Sequence, residues 1–245
     1  MEFYNLVNIY ADKFIPIFIR VMVMLAFIPF IGSTTTPVAV RTGLGLALTL
    51  LLAPVVSVNM ENPLRAVFEA FFIGAALGLM VRIVLGAIET AGQWMSISMG
   101  IGVASVFNPQ FGEVLGPLSL FYSLMGMGLF FILDIHHFFI EAIVRSFDIT
   151  TVQYQGMFSA IMKLNAIFFP LAFKIAAPIF LVQVLVNLSM GFLSRAMPQA
   201  NIFFVSFPLL IGVGIIFMAL TLGLTFMVMT RSFEHIKDAM MLLVR

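Results

Sequence analysis

Long apolar segments follow one another along this chain with only short polar connections between them, and this pattern constrains the fold more than any other feature. The stretch from about Ala66 to Val106 is apolar over twice the length that a helix needs to cross a bilayer, for which about 20 residues suffice. The sequence is 62% hydrophobic and 9% charged, whereas soluble domains hold roughly 45–50% and 25%. A chain with so few polar residues cannot cover the surface of a water-soluble domain with polar side chains. We therefore predict an all-α integral membrane protein.

Hydropathy divides the chain into about six apolar helical segments. They are Phe14–Phe30, Val38–Val58, the Ala66–Val106 stretch (one long helix or two), Pro117–Phe139, Ala166–Leu188 and Phe203–Met229. A polar link is expected at Gly191–Asn201. No linker of Ser and Gly and no shift in composition divides the sequence, so a single domain, residues 1–245, is expected. The Lys and Arg residues favour a topology with both ends in the cytoplasm.

Charge and motif content exclude several functional classes. The net charge is +1 and there is no run of basic residues, so the sequence indicates no basic surface for binding nucleic acid. There is no cysteine, so disulfides, iron–sulfur clusters and thiol catalysis are excluded. No catalytic motif occurs, and we expect neither an enzyme nor a cofactor. Adjacent helical side chains point about 100° apart, so we predict that His136 and His137 hold no metal ion.

The region from Glu89 to Phe139 reads as helix, loop and helix. Small residues recur at every fourth position of its first half, which places them on one helical face and permits close packing of another helix in lipid. These residues are Gly92, Ser96, Gly100 and Ala104. An Asn-Pro pair and a following Gly then break the helix.

The loop that follows carries two aromatic residues around its turn. Its residues are Phe107, Asn108, Pro109, Gln110, Phe111 and Gly112. Two interpretations stay open at this point: the loop anchors itself in an interface through its aromatics, or it projects into a pore as a plug.

Several charged residues lie in or beside the apolar runs. They are Arg20, Arg82, Glu89, Asp134 and Lys174. A charge at the bilayer centre costs roughly 2.5–3.5 kcal/mol, so such residues should be paired or kept out of lipid. One hypothesis is a small-solute or ion transporter with a relay through Asp134, Glu89 and Arg82. Structural pairing within an assembly is favoured over it, because interleaved acids and bases can neutralise one another.

Four stretches of the sequence resemble the FliR/SpaR/YscT family of type III export-gate proteins. The first runs from Arg20 to Pro54, and the second from Gly92-Gln93 to Phe111 with Met99-Gly100-Ile101-Gly102 within it. The third comprises Leu133-Asp134, His136 and Glu141–Phe147, and the last runs from Leu193 through Arg195-Ala196-Met197-Pro198-Gln199 to Phe204, with Phe207-Pro208-Leu209. A polar Arg-x-x-Pro-Gln-x-Asn linker between apolar hairpins is not a generic membrane pattern.

The resemblance implies a FliP-like hairpin joined to a FliQ-like hairpin within a helical hetero-oligomer. It implies FliP-like, FliQ-like and FlhB-like subunits as partners and unfolded flagellar proteins as substrates, in the bacterial inner membrane at the flagellar basal body. A virulence-system (injectisome) member is the alternative within the family. Much of such a complex is raised above the membrane, so the charged residues above, with Arg195, would be buried against partners. The resemblance also favours the plug interpretation of residues 107–112.

Overall fold

The structure is a computed structural model. It describes residues 2–29, 31–32, 36–58, 62–102, 116–147, 154–199 and 201–243. All regular structure within these ranges is α-helical. The helices are α1 (Glu2–Phe27), α2 (Val38–Leu52), α3 (Pro63–Ser98), α4 (Pro117–Ile132), α5 (Ile135–Arg145), α6 (Tyr154–Ala196) and α7 (Ile202–Leu243). The prediction of an all-α membrane protein is confirmed in this coarse form.

Three of the described helices, α3, α6 and α7, are long and apolar enough to cross a membrane. The count rises to four if α4 and α5, which meet at a break, form one span together. Helix α2 has 15 residues, fewer than the roughly 20 that cross a bilayer. The described part of the chain therefore supplies three or four membrane-capable elements, and the six apolar segments stay a prediction.

Helix α3 is one long helix, and α6 is longer than the hydropathy pattern indicated. Helix α3 runs without a break through Arg82 and Glu89 for 36 residues, which settles the alternative of one helix or two. Helix α6 has 43 residues and continues through Pro170 and Pro178, so the polar link expected from Gly191 begins only after Ala196. At about 1.5 Å per residue α6 is roughly 65 Å long, twice the hydrocarbon thickness of a bilayer.

The chain divides into two compact units. The first comprises residues 1–84, 134–166 and 234–245, and the second residues 85–133 and 167–233. In the first unit α1 packs tightly on α3 at two glycines one helical turn apart. A Cβ placed on Gly74 would lie 2.5 Å from Arg20 O, and one on Gly78 would lie 2.8 Å from Met24 O. Only residues without a side chain allow backbones to approach so closely.

The second unit is built from the last part of α3, all of α4 and most of α6 and α7. Its buried side chains include Met95, Met99, Tyr122 and Leu129. An aromatic stack joins α3 to α6, because the Trp94 ring lies over Phe169 and Phe180 at centroid distances of 6.4 and 6.2 Å. This unit holds both ends of the segment 103–115.

Candidate functional site

The candidate site is the pair of stems that carry the segment 103–115, at the end of α3 and the start of α4. The two helices touch backbone to backbone at Gly92. A Cβ there would lie 2.6 Å from Ser119 Cα and 2.7 Å from Leu118 O. Even an alanine would therefore force the two helices apart, and Gly92 fixes how closely α4 approaches α3.

Polar contacts secure the start of α4 against the same face of α3. The Ser119 hydroxyl donates to Glu89 O at 3.0 Å, and the Gly116 amide donates to Gln93 Oε1 at 3.2 Å. Ser96 packs beside them, since a Cβ on Gly116 would lie 2.9 Å from its Oγ. Gln93 thus satisfies an amide at a helix start, where amides otherwise lack a partner. Gly116, the residue after the segment 103–115, is held on α3.

The other stem is a tight turn at the end of α3. Gly100 has a φ of +77°, a left-handed conformation that glycine adopts without strain. The Gly102 amide donates to Ser96 O at 2.9 Å, which ties the residues after the turn back to the last turn of α3. Of the four small residues expected on one helical face, Gly92 and Ser96 lie within α3, and Ala104 lies outside the described residues. Gly100 instead ends the helix, because it can leave the helical conformation cheaply.

Residues of α7 close over this turn. A Cβ on Gly100 would lie 2.8 Å from Phe207 Cε1, so the aromatic ring rests on the glycine. About two turns further along α7, Met99 Cε and Gln183 Nε2 lie 2.5 and 2.7 Å from where a Cβ on Gly214 would stand. The turn that precedes the segment 103–115 is therefore packed by α7, at Phe207 and beside Gly214, and Gln183 of α6 lies next to the same glycine.

The buried amide of Gln183 links α6 to α7 beside this turn. Its Nε2 donates to Leu210 O at 2.8 Å, across 27 positions of sequence. The sequence analysis did not predict the contacts that Gln93, Gly116, Gln183 and Gly214 make between helices. Nothing in their spacing signals a partner on another helix, although the Phe207-Pro208 pair did fall in a stretch that resembled a family.

The loop residues singled out in the sequence lie outside the described residues. Phe107, Asn108, Pro109, Gln110, Phe111 and Gly112 all fall in 103–115, as does Ala104. The structure therefore describes what holds the two ends of this segment. The holding groups are glycines, hydroxyls, an amide and apolar side chains, a set suited to packing and not to acid–base chemistry.

Of the charged residues expected to be buried, only Arg20 is buried within the chain, with 4% of its surface exposed. Its Nη1 donates to Ser146 Oγ at 2.7 Å, and its guanidinium carbon lies 3.5 Å from the centre of the Phe147 ring. Glu89 is half-buried, and the other four are exposed on the chain, namely Arg82, Asp134, Lys174 and Arg195.

Asp134, His136 and His137 come together at the start of α5. Asp134 has a φ of +55°, and the two imidazole centroids are 4.1 Å apart. One donor atom from each of the three side chains lies within 4.8 Å of the other two. The helical spacing of the two histidines had predicted that they point apart, but in the structure their rings lie side by side.

Comparison with known proteins gives one family and a consistent set of relatives. The model of a family described as bacterial export proteins, family 1, matches residues 11–236. A flagellar biosynthetic protein FliR from Caulobacter vibrioides is 30% identical over 234 residues, which cover 91% of this chain and 93% of that protein. FliR from Bacillus subtilis is 26% identical, with 90% of each chain covered, and FliR from Escherichia coli is 26% identical, with 82% of this chain and 80% of that protein covered.

Proposed function

The chain belongs to the bacterial export proteins, family 1, and from this premise we propose that it is a core subunit of the flagellar type III export gate. In this role it forms, with FliP-like and FliQ-like subunits, the channel that passes unfolded flagellar proteins across the inner membrane at the basal body. It is a membrane component of the flagellar export apparatus and not an enzyme.

The observation that carries this function is the similarity to flagellar FliR proteins over almost the whole chain. The named relatives are flagellar, which favours a flagellar member over a virulence-system one. The stems described above fit the proposal, since a loop that seals a channel needs both of its ends held, here by the turn after α3 and by the start of α4. We accordingly assign the plug to Phe107, Asn108, Pro109, Gln110, Phe111 and Gly112.

The surface of the chain supports assembly with other apolar helices. The most apolar window of α7 is only 17% buried within the chain, against 67% for that of α3. Large apolar side chains are exposed along α7, among them Phe204 and Leu220. The exposed large apolar side chains run from Phe204 to Met227, about the thickness of a bilayer, so length alone does not distinguish lipid from protein. Similarity to an export-apparatus family leads us to assign part of this face to FliP-like, FliQ-like and FlhB-like subunits.

The proposed arrangement places a FliP-like hairpin and a FliQ-like hairpin, built from six apolar segments, in a helical hetero-oligomer. Within it the exposed charges would meet partner side chains and not lipid, which removes the cost of a charge in hydrocarbon. Arg195, in the last turn of α6, is placed among these contacts, together with Arg82, Glu89, Asp134 and Lys174.

A secretion assay tests the function directly. Deletion of the gene in its own organism should abolish the release of flagellar proteins into the medium, and a plasmid copy should restore it. The matched control is a strain that lacks an outer filament protein and keeps the export of the rest. Normal flagellar export in the deletion strain would refute the proposal.

A further inference from the structure

The one cluster of potential metal ligands among the described residues lies where α5 begins. We propose that Asp134, His136 and His137 bind a divalent transition-metal ion of the zinc class. This inference stands on local geometry and is independent of the export function. All three residues belong to the first compact unit.

The distances allow coordination after small side-chain movements. The donor atoms lie within 4.8 Å of one another. Zinc–nitrogen bonds of about 2.0–2.1 Å in a tetrahedral site place neighbouring ligand atoms roughly 3.4 Å apart, so each donor must move inward by about 1 Å. The side chains of His137 and Asp134 are 68% and 67% exposed. They can therefore rotate toward a common ion without disturbing the core.

The backbone at this point is shaped for convergence of the donors. Asp134 is the one non-glycine residue in the described part of the chain with a left-handed φ. Its carboxylate does not cap the helix that it precedes. It faces His137 instead, with Oδ1 3.4 Å from Nδ1. Aspartate adopts this conformation more readily than most residues, and here it turns the chain from α4 into α5 and brings the carboxylate to the start of α5.

The chemistry of the donors selects the class of ion. Two imidazoles and one carboxylate suit zinc, nickel, cobalt or copper, whereas magnesium and calcium prefer oxygen ligands alone. Three protein ligands leave a fourth position for water or for a group from another molecule. The nearest acid along α5, Glu141, is engaged by Arg145 at 2.6 Å and is not needed as a ligand.

The simplest competing explanation is a surface ion pair between Asp134 and His137. Such a pair needs only those two residues and places no demand on His136. A requirement for His136 therefore separates the two explanations. The chain contains a third histidine, His235, in α7, and it provides a matched control because its substitution removes the same chemical group elsewhere.

The test is a cobalt titration of the full chain, purified in detergent through a tag without histidine. We expect one equivalent of Co²⁺ to produce the intense visible bands of a four-coordinate site, and Zn²⁺ to abolish them. His136→Ala and His137→Ala should each weaken binding at least about tenfold, because even outer-shell changes commonly cost that much. His235→Ala should bind as the parent does.

Asp134→Asn should preserve the fold, because asparagine tolerates the left-handed conformation, while it removes the negative charge. It should also weaken cobalt binding while the circular dichroism spectrum is unchanged. The proposal is overturned if the parent shows no saturable binding. It is equally overturned if binding survives His136→Ala, or if His235→Ala lowers it as much as His136→Ala does.

Discussion

Arg20 occupies the middle of an apolar helix and is nonetheless satisfied within the chain. The Ser146 hydroxyl that accepts from it donates in turn to Ile143 O at 2.6 Å, so one cation is tied through a serine to the backbone of α5. The flat guanidinium can stack on Phe147 and donate at its edge at the same time, which a lysine cannot do. The sequence placed Arg20 among the charges that need a partner, but it gave no sign of which residues would serve.

Arg20→Ala should lower the free energy of unfolding by about 2–4 kcal/mol. It removes a charge-assisted hydrogen bond, worth roughly 1.5–3 kcal/mol, and a desolvated cation–π contact, worth about 2 kcal/mol. The relief of a buried charge offsets part of this loss. Thermal unfolding in detergent measures the effect.

Arg145→Ala is the control for this substitution. Its exposed pair with Glu141 should contribute less than about 1 kcal/mol. Equal losses of stability in the two variants would show that the burial of Arg20 has no special energetic role.

At the scale of helices and turns, the sequence predicted which elements exist better than where they end. It left open whether α3 was one helix or two, and the structure shows one. Arg82 and Glu89 are good helix formers, and no proline falls within the helix after Pro63. A break in hydropathy marks a change of surroundings and does not end a helix. The same reason explains why α6 continues to Ala196 through polar residues.

The small-residue spacing identified the packing face of α3 in part. Gly92 and Ser96 meet α4, whereas Gly100 forms the turn and meets Phe207. A four-residue repeat cannot distinguish a glycine that packs in a helix from one that ends it. The hydrogen bonds between Gln93 and Gly116 and between Gln183 and Leu210 could not be predicted, because partners far apart in the sequence produce no periodic pattern of residues.

Gly92→Ala should destabilise the protein by about 1–3 kcal/mol, because the new methyl group meets backbone atoms of α4 that cannot rotate away. The matched control is Gly128→Ala in α4, where a Cβ would meet nothing within 4 Å. That change should be neutral or stabilising by up to about 1 kcal/mol, since alanine is the better helix former. Melting temperatures in the same detergent compare the two, and a Gly92→Ala variant as stable as Gly128→Ala would contradict the close packing.

Removal of Phe107–Glu113 should make cells permeable to small molecules through the assembled complex while the complex still forms. The expected reason is that the loop fills the channel and that its stems, held by Gly92, Gln93 and Phe207, are left in place. Dye entry and growth in the presence of a bulky antibiotic measure the leak. Cells with the control substitution Asn108→Ser should stay impermeable, whereas cells in which both Phe107 and Phe111 are changed to serine should leak. Unchanged permeability of the deletion variant, with assembly verified, would rule out the plug.

At the scale of the whole molecule, composition alone predicted the membrane class, and the resemblance in four stretches predicted the family. What the sequence could not supply is the arrangement of the apolar faces. Exposed helices such as α7 give the same hydropathy signal whether lipid or another subunit covers them. The six-segment count and the hairpin arrangement therefore depend on partners that one chain does not contain.

As one subunit of a membrane assembly for flagellar protein export, this chain should form a stable complex only with its partners. The most direct test is co-expression with candidate FliP and FliQ partners, purification through a tag on this chain, and intact-mass measurement in detergent. We expect a discrete complex that contains both partners and one copy of this chain. A stable particle of this chain alone, unchanged by the presence of those partners, would contradict this expectation.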